Sequence, residues 1–288
     1  MTPRVVIEAG NLIAESPVWS TAEQALYWVD VEGKLIQRRD RRDEIASWPM
    51  PEPTGCIGLR RGGGLVAAMR TGFHSLDTDT GALTPIMDPE ADRPENRFND
   101  GKVDRRGRFW AGSKHITDRR KATGALYRLD GAGGCARMDE GITCTNGIAW
   151  SADDRTMYLC DTWVRHIHAY DFDPETGSIA NRRLFAELTP EEGYPDGLTV
   201  DAENFVWSAR FDGCGVARYA PDGRLDRFVA LPVRNVTSVM FGGADLGTLY
   251  ITTARFHLTE TERAAQPDAG HIFAIEPGVK GLPEPEFG

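Results

Sequence analysis

Cysteine is scarce and unpatterned in this chain. The five present, Cys56, Cys135, Cys144, Cys160 and Cys214, include no C-x-x-C pair and are odd in number. They read as small reduced core residues, which implies a reducing compartment. Basic charge is in deficit: 33 Lys and Arg face 43 Asp and Glu, for a formal net charge of −10. Nucleic acid and anionic membrane both need a basic face, so neither is expected as a partner. Long apolar runs are missing as well. No stretch is long enough to span a bilayer, and the N-terminus carries no extended apolar run before Glu8. A cytoplasmic protein is expected. There is no G-x-S-x-G elbow and no Cys–His pair with supporting context, which argues against nucleophilic catalysis.

What the chain has in quantity is turn formers, with 31 Gly and 17 Pro among 288 residues. Between them lie short β-branched and aromatic runs, at residues 25–30, 64–69, 108–113, 156–161, 205–210 and 248–253. They recur about every forty to fifty residues, the period of propeller blades. Each is preceded by a strand across a Gly- or Asp-rich turn, such as residues 104–107, 151–154 and 201–204, and followed by a third strand. A fourth, outer strand fits five of the units, as at residues 183–186 and 227–230. The sixth unit lacks one, and residues 5–8 are left over at the other end of the chain. Pairing the two closes a ring and leaves only short edges exposed. The expected fold is all-β: a six-bladed β-propeller of four-stranded antiparallel blades, closed by the N-terminal strand. No linker divides the chain, so one domain over residues 1–288 is expected, with 276–288 as a C-terminal tail. A pair of β-sandwiches would explain the alternation but not the period.

The first strand of each blade lines the channel. Aligning their starts gives a ring of Glu15, Gly55, Asp100, Asn146, Asp196 and Thr237. Three carboxylates and an amide at one axis repel unless a cation sits among them. Oxygen ligands without Cys or His suit a hard divalent ion: Ca, Mg or Mn, with Zn or Fe(II) also able to occupy such sites. The alternative is that Asp-Gly and Asn-Gly are only turn formers, a reading that Glu15 fits poorly. Arg97 and Asn99, just before Asp100, are placed to orient a hydroxyl-rich or anionic substrate. His166 and His168 share one strand face and read as exposed or stacked; residues 38–42 read as a solvated basic turn.

Several motifs occur together and in order: Ala14-Glu15-Ser16-Pro17-Val18-Trp19, Asn96-Arg97-Phe98-Asn99-Asp100-Gly101-Lys102, Thr145-Asn146-Gly147-Ile148-Ala149-Trp150, Tyr194-Pro195-Asp196-Gly197 and the Val236–Gly243 stretch. From Glu15 to about Ile275 the chain resembles the senescence-marker/gluconolactonase/regucalcin family of propeller lactonases. The resemblance implies one divalent cation held by Glu15, Asn146 and Asp196, with Arg97 and Asn99 on the sugar lactone and Asp100 beside the metal shell. It also implies an acidic lid residue in blade three. Here residues 113–124 are short and basic, and Asp118 is the acid available. That basic stretch leaves room for a lactone bearing its own carboxylate; the blander account is a solvated loop.

The expected activity is metal-dependent opening of a small-molecule sugar lactone to its aldonic acid, with Asp196 as general base. A phosphotriesterase-like propeller hydrolase and a non-catalytic calcium-binding regulatory propeller are the alternatives. Ring size and oligomeric state are left open.

Overall fold

The computed structural model describes residues 2–288. Six four-stranded antiparallel sheets follow one another around an axis. The innermost strands are β2 (Ala14–Ser20), β6 (Thr54–Leu59), β10 (Asn96–Val103), β14 (Thr145–Trp150), β18 (Tyr194–Val200) and β22 (Asn235–Gly242), one per blade. The sixth sheet is completed by β1 (Arg4–Ile7), which pairs antiparallel with β24 (Ile272–Ile275) in the register Arg4 to Ala274 and Val5 to Phe273. The two ends of the chain thus close the ring. An outer strand is present in the other five blades, as in Ile45–Pro49 and Leu83–Met87.

The core is itself a ring. Among the described residues six apolar clusters fall one to each junction between neighbouring blades. Trp207 and Val216 of blade five, for example, pack on Val239 and Phe241 of blade six. Strands buried on both faces need apolar residues on both, which explains the near-continuous apolar runs of the middle strands. The sequence pattern did not anticipate one short helix, Glu260–Ala265. Its start is a capping box: Thr259 Oγ1 accepts from the Glu262 N–H at 3.3 Å, and Glu262 accepts from the Thr259 N–H at 2.8 Å.

Two of the Asp-rich turns carry buried ionic brackets. Asp104 Oδ2 accepts from Arg108 Nε at 2.6 Å and Trp110 Nε1 at 2.8 Å. In blade five, Asp201 Oδ2 accepts from Trp207 Nε1 and from Arg218 Nε, both at 2.8 Å. The other oxygen of each Asp accepts backbone N–H groups of its own turn. One carboxylate therefore shapes the hairpin and fixes the tryptophan of the next strand.

Residues 276–288 cross the end of the channel where the inner strands finish. The Ala202 N–H donates to Lys280 O at 2.8 Å and the Gly281 N–H to Leu246 O at 2.9 Å. Further along, the Phe287 N–H donates to Leu59 O at 2.8 Å and the Gly288 N–H to Gly107 O at 3.0 Å. The segment so touches the first hairpin turns of four blades. Glu284 meets Lys102 at 3.5 Å. Among the described residues no helix is long and apolar enough to cross a membrane.

Candidate active site

Each inner strand breaks its register near the ring position found by alignment. The shifts lie between Glu15 and Val18, Thr54 and Cys56, Phe98 and Asp100, Asn146 and Ile148, Pro195 and Leu198, and Val236 and Ser238. A β-bulge bends a strand and re-aims its side chains. The Asp-Gly and Asn-Gly pairs are therefore not hairpin turns, as the alternative reading had them; they lie within strands, at bulges. Gly55 leaves the gap in the ring that the neighbouring strand fills: a Cβ there would lie 2.6 Å from Phe98 O and 2.8 Å from Asn99 O. That close approach carries Arg97 and Asn99 to the axis. Gly147, at φ 28°, lets its strand approach Asp196 equally closely.

The open end of the channel is a cavity of about 480 Å³. Glu15, Asn146, Asp196, Arg97 and Asn99 all line it. Asp100 lies below this floor, buried towards the far end of the channel, and accepts from the Gly101 N–H at 2.7 Å. Asp118 is outside the lining. Its carboxylate accepts from the Arg120 N–H at 3.0 Å and caps its own turn.

A relay of hydrogen bonds holds the amide of Asn146. Its Nδ2 donates to Thr162 Oγ1 at 2.9 Å, and Thr162 in turn donates to Pro195 O at 2.9 Å. Asn99 Nδ2 donates to Asn146 Oδ1 at 3.0 Å and to Thr145 O at 2.9 Å. The amide nitrogen is thus committed to Thr162, which leaves Oδ1, already accepting from Asn99, as the atom a cation could use. Thr162 follows a strand in a short 3₁₀ turn, Thr162–Val164. No local pattern marks it, since its role depends on blade five lying next to blade four. Lys114 and Trp163 also line the cavity, and the pattern of inner strands did not point to either.

The electrostatics are those of crowded acids. Burial, then the neighbouring Asp196 and Asp100, push Glu15 well above the ordinary carboxylate range. Burial, then Asp100, does the same to Asp196, with Lys114 pulling the other way. Asp100 is raised to about 6, chiefly by burial. Asp196 Oδ1 is buried without any hydrogen-bond partner. An unsatisfied buried oxygen beside a second crowded carboxyl is the environment a cation would relieve. Among the described residues no three His, Cys, Asp or Glu side chains cluster as a metal cage. The donor set is two carboxylates and one amide, whose hard oxygens fit a divalent ion with positions left for water and substrate.

A six-bladed propeller with two carboxyls and an amide lining a cavity at one end of its channel defines the class. Residues 13–255 match the profile of the SMP-30/gluconolactonase/LRE-like region, and the chain belongs to that family. It is 38% identical over 288 residues to a 6-deoxy-6-sulfogluconolactonase of Pseudomonas putida, covering 99% of this chain and 98% of the relative. It is 36% identical to regucalcin of Xenopus laevis, covering 98% and 97% of the two chains. The solved structure of a calcium-binding regucalcin from Agrobacterium tumefaciens superposes with a TM-score of 0.95 at 28% identity, over 100% of this chain and 97% of that one.

Thr162→Val tests the relay. Without the hydroxyl, the Asn146 amide loses the partner that sets its orientation. Divalent-cation affinity is expected to fall about tenfold, the scale seen when groups supporting a metal ligand are removed. Titration calorimetry measures it; unchanged affinity would show that Asn146 needs no such support.

Proposed function

We propose that this protein hydrolyses a sugar lactone to its aldonic acid with the help of one divalent cation. The observation that carries the reading is the convergence of Glu15, Asn146, Asp196, Arg97 and Asn99 on one cavity, with Asp196 Oδ1 buried and unpartnered. Glu15, Asn146 and Asp196 would hold the cation. When bound, it supplies Lewis-acid polarisation of the lactone carbonyl and neutralises the oxyanion that develops there.

The remaining roles belong to the chain. Asp196 takes the proton of the water that adds to the carbonyl carbon. The acyl–oxygen bond of the ring then breaks, the leaving oxygen takes up a proton, and the carboxylic acid formed ionises to the aldonate. Beside a bound cation Asp196 would be a weaker base than its burial alone makes it, and the greater acidity of water next to that charge would offset the loss. Arg97 and Asn99 orient the ring and its hydroxyls, and so supply proximity. Arg97 donates Nη1 to Phe98 O at 2.9 Å, which holds one arm of the guanidinium and leaves the other for a substrate.

The test is a chelated enzyme, re-supplied in turn with Ca, Mg, Mn, Zn and Fe(II), assayed by acid release on pentono-, hexono- and uronate-derived lactones. Metal-dependent acidification supports the reading. Inertness of both the chelated and the reloaded protein towards every lactone would favour a calcium-binding regulatory role for the same residues, in line with the regucalcin names of several relatives. A phosphotriester assayed beside the lactones and preferred over them would favour the phosphotriesterase-like reading.

The same crowding has a pH signature. Folded Glu15, Asp196 and Asp100 are all raised above their unfolded values. Above the unfolded carboxylate pKa of about 4, the native state therefore binds more protons than the unfolded one, so these groups make stability fall as pH rises. Chelated wild type, relative to Glu15→Gln, is expected to lose melting temperature between pH 5 and pH 7.5. Saturating cation should reverse the loss. Thermal unfolding of both proteins across that interval checks it, and a relative gain with pH would contradict the crowded-acid account.

A further inference from the structure

Arg97 and Lys114 face each other directly across the antiparallel pair formed by β10 and its neighbour Phe109–His115. Like charges in that position repel and cost stability. Both side chains line the cavity, as do Arg70 and Arg119. Among the described residues, no carboxylate lies within ion-pairing distance of any of these four, although Asp118 pairs with the adjacent Arg120. Arg70 gives one of its donors to a backbone carbonyl, Pro94 O, at 3.1 Å. Arg119 sits over the Trp163 ring, 4.3 Å from its centroid, which holds the guanidinium in place without neutralising it. A chain with ten more acids than bases, in net charge, thus gathers four cations without direct ion pairs in the same cavity as its crowded carboxyls. Glu32 also lines the cavity, so three acids, Glu15, Glu32 and Asp196, meet these four bases there; the surplus of basic charge on low-dielectric walls favours an anion.

We propose that the cavity selects lactones bearing an acidic group on the carbon remote from the ring carbonyl, seated against Lys114 and Arg119 with Arg97 beneath. This rests on the lactonase reading and names its substrate class. The group is a sulfonate, phosphate or carboxylate; all three offer the oxygens that a guanidinium and an ammonium bind. The carbonyl end of such a substrate lies towards Glu15 and Asp196, and its anionic end towards the mouth. The two charges of the site are then both used, the acids at the floor and the bases at the wall. This also gives residues 113–124 a function in place of the acidic lid that the family resemblance led one to expect.

The experiment compares kcat/KM of the metal-loaded enzyme for three ring-matched substrates: glucono-1,5-lactone, its 6-phosphate and its 6-deoxy-6-sulfonate. At low salt at least one anionic substrate is expected to exceed the neutral one by about tenfold or more, the order that hydrogen bonds to charged groups supply. The excess should shrink as salt screens the wall. Arg119→Ala, an exposed change that the fold tolerates, should reduce the anionic-to-neutral ratio several-fold. The sulfonate and phosphate arms separate a singly charged from a doubly charged preference. Equal turnover of all three, or a ratio untouched by both salt and Arg119→Ala, overturns the inference and leaves the lactonase reading standing. Turnover of none overturns the lactonase reading and this inference with it.

Discussion

Asp196→Ala is expected to lower kcat/KM for the lactone at least about a thousandfold. Two losses combine: the proton acceptor, a contribution of roughly 10²–10⁴ for a positioned general base, and one of the two carboxylates available to a cation. Asp196→Asn separates them. It keeps an oxygen of nearly the same shape, so cation binding should survive in weakened form, while the amide cannot take a proton from water. Turnover at saturating metal should therefore stay low in Asp196→Asn even where calorimetry shows the ion bound. Full activity in Asp196→Ala would remove the site assignment altogether, since the unpartnered Oδ1 is what marks this residue. Should Asp196→Asn instead recover activity with excess metal, Asp196 would be a ligand only and the base would lie elsewhere.

The second large effect is on stability. Asp104→Ala removes a fully buried carboxylate that serves Arg108 Nε, Trp110 Nε1 and two backbone N–H groups. Breaking a buried pair by deleting one partner leaves a charge without compensation, at a cost of about 3–5 kcal/mol. Arg108 keeps a bond from Nη2 to Pro174 O at 2.8 Å, so the lower end, about 3 kcal/mol, is expected. For a domain of this size that lowers Tm by roughly 5 °C. Asp104→Asn should lose less, because its oxygen can still accept from one donor. Differential scanning calorimetry measures both. The activity of Asp104→Ala at low temperature should remain, since Asp104 lies just past the end of β10 remote from Arg97 and Asn99; a catalytic loss without a stability loss would contradict its role as a bracket.

Much of this was legible in one dimension. The period of the middle strands is a consequence of burial on both faces, so it is written in the residues as continuous apolar runs between turn formers. The unpaired strand at each end of the chain is likewise a local observation, and the pairing of Arg4–Ile7 with Ile272–Ile275 follows from it. Glu15, Asn146 and Asp196 stood out because they are polar residues at equivalent points of a repeat, and symmetry turns equivalent points into neighbours.

Other features could not be read that way. Asp118 looked like the acid of a lid, but its side chain is spent on the Arg120 N–H in its own turn. Asp100 shares the ring position, yet a bulge one residue earlier turns it beneath the cavity floor. Thr162 supports Asn146 only because Pro195 of the next blade offers its carbonyl. Lys114 is one basic residue among several until the register sets it opposite Arg97.

The sequence by itself therefore determined the number of blades, the closure of the ring and the set of polar residues near its axis, because each depends on a repeating pattern of burial. The tertiary structure alone decided which of those side chains share a cavity, which oxygen is left without a donor and which cations are left without an acid. Those outcomes depend on bulges and on contacts between blades, where a shift of one residue re-aims a side chain without changing the pattern that predicts the strand.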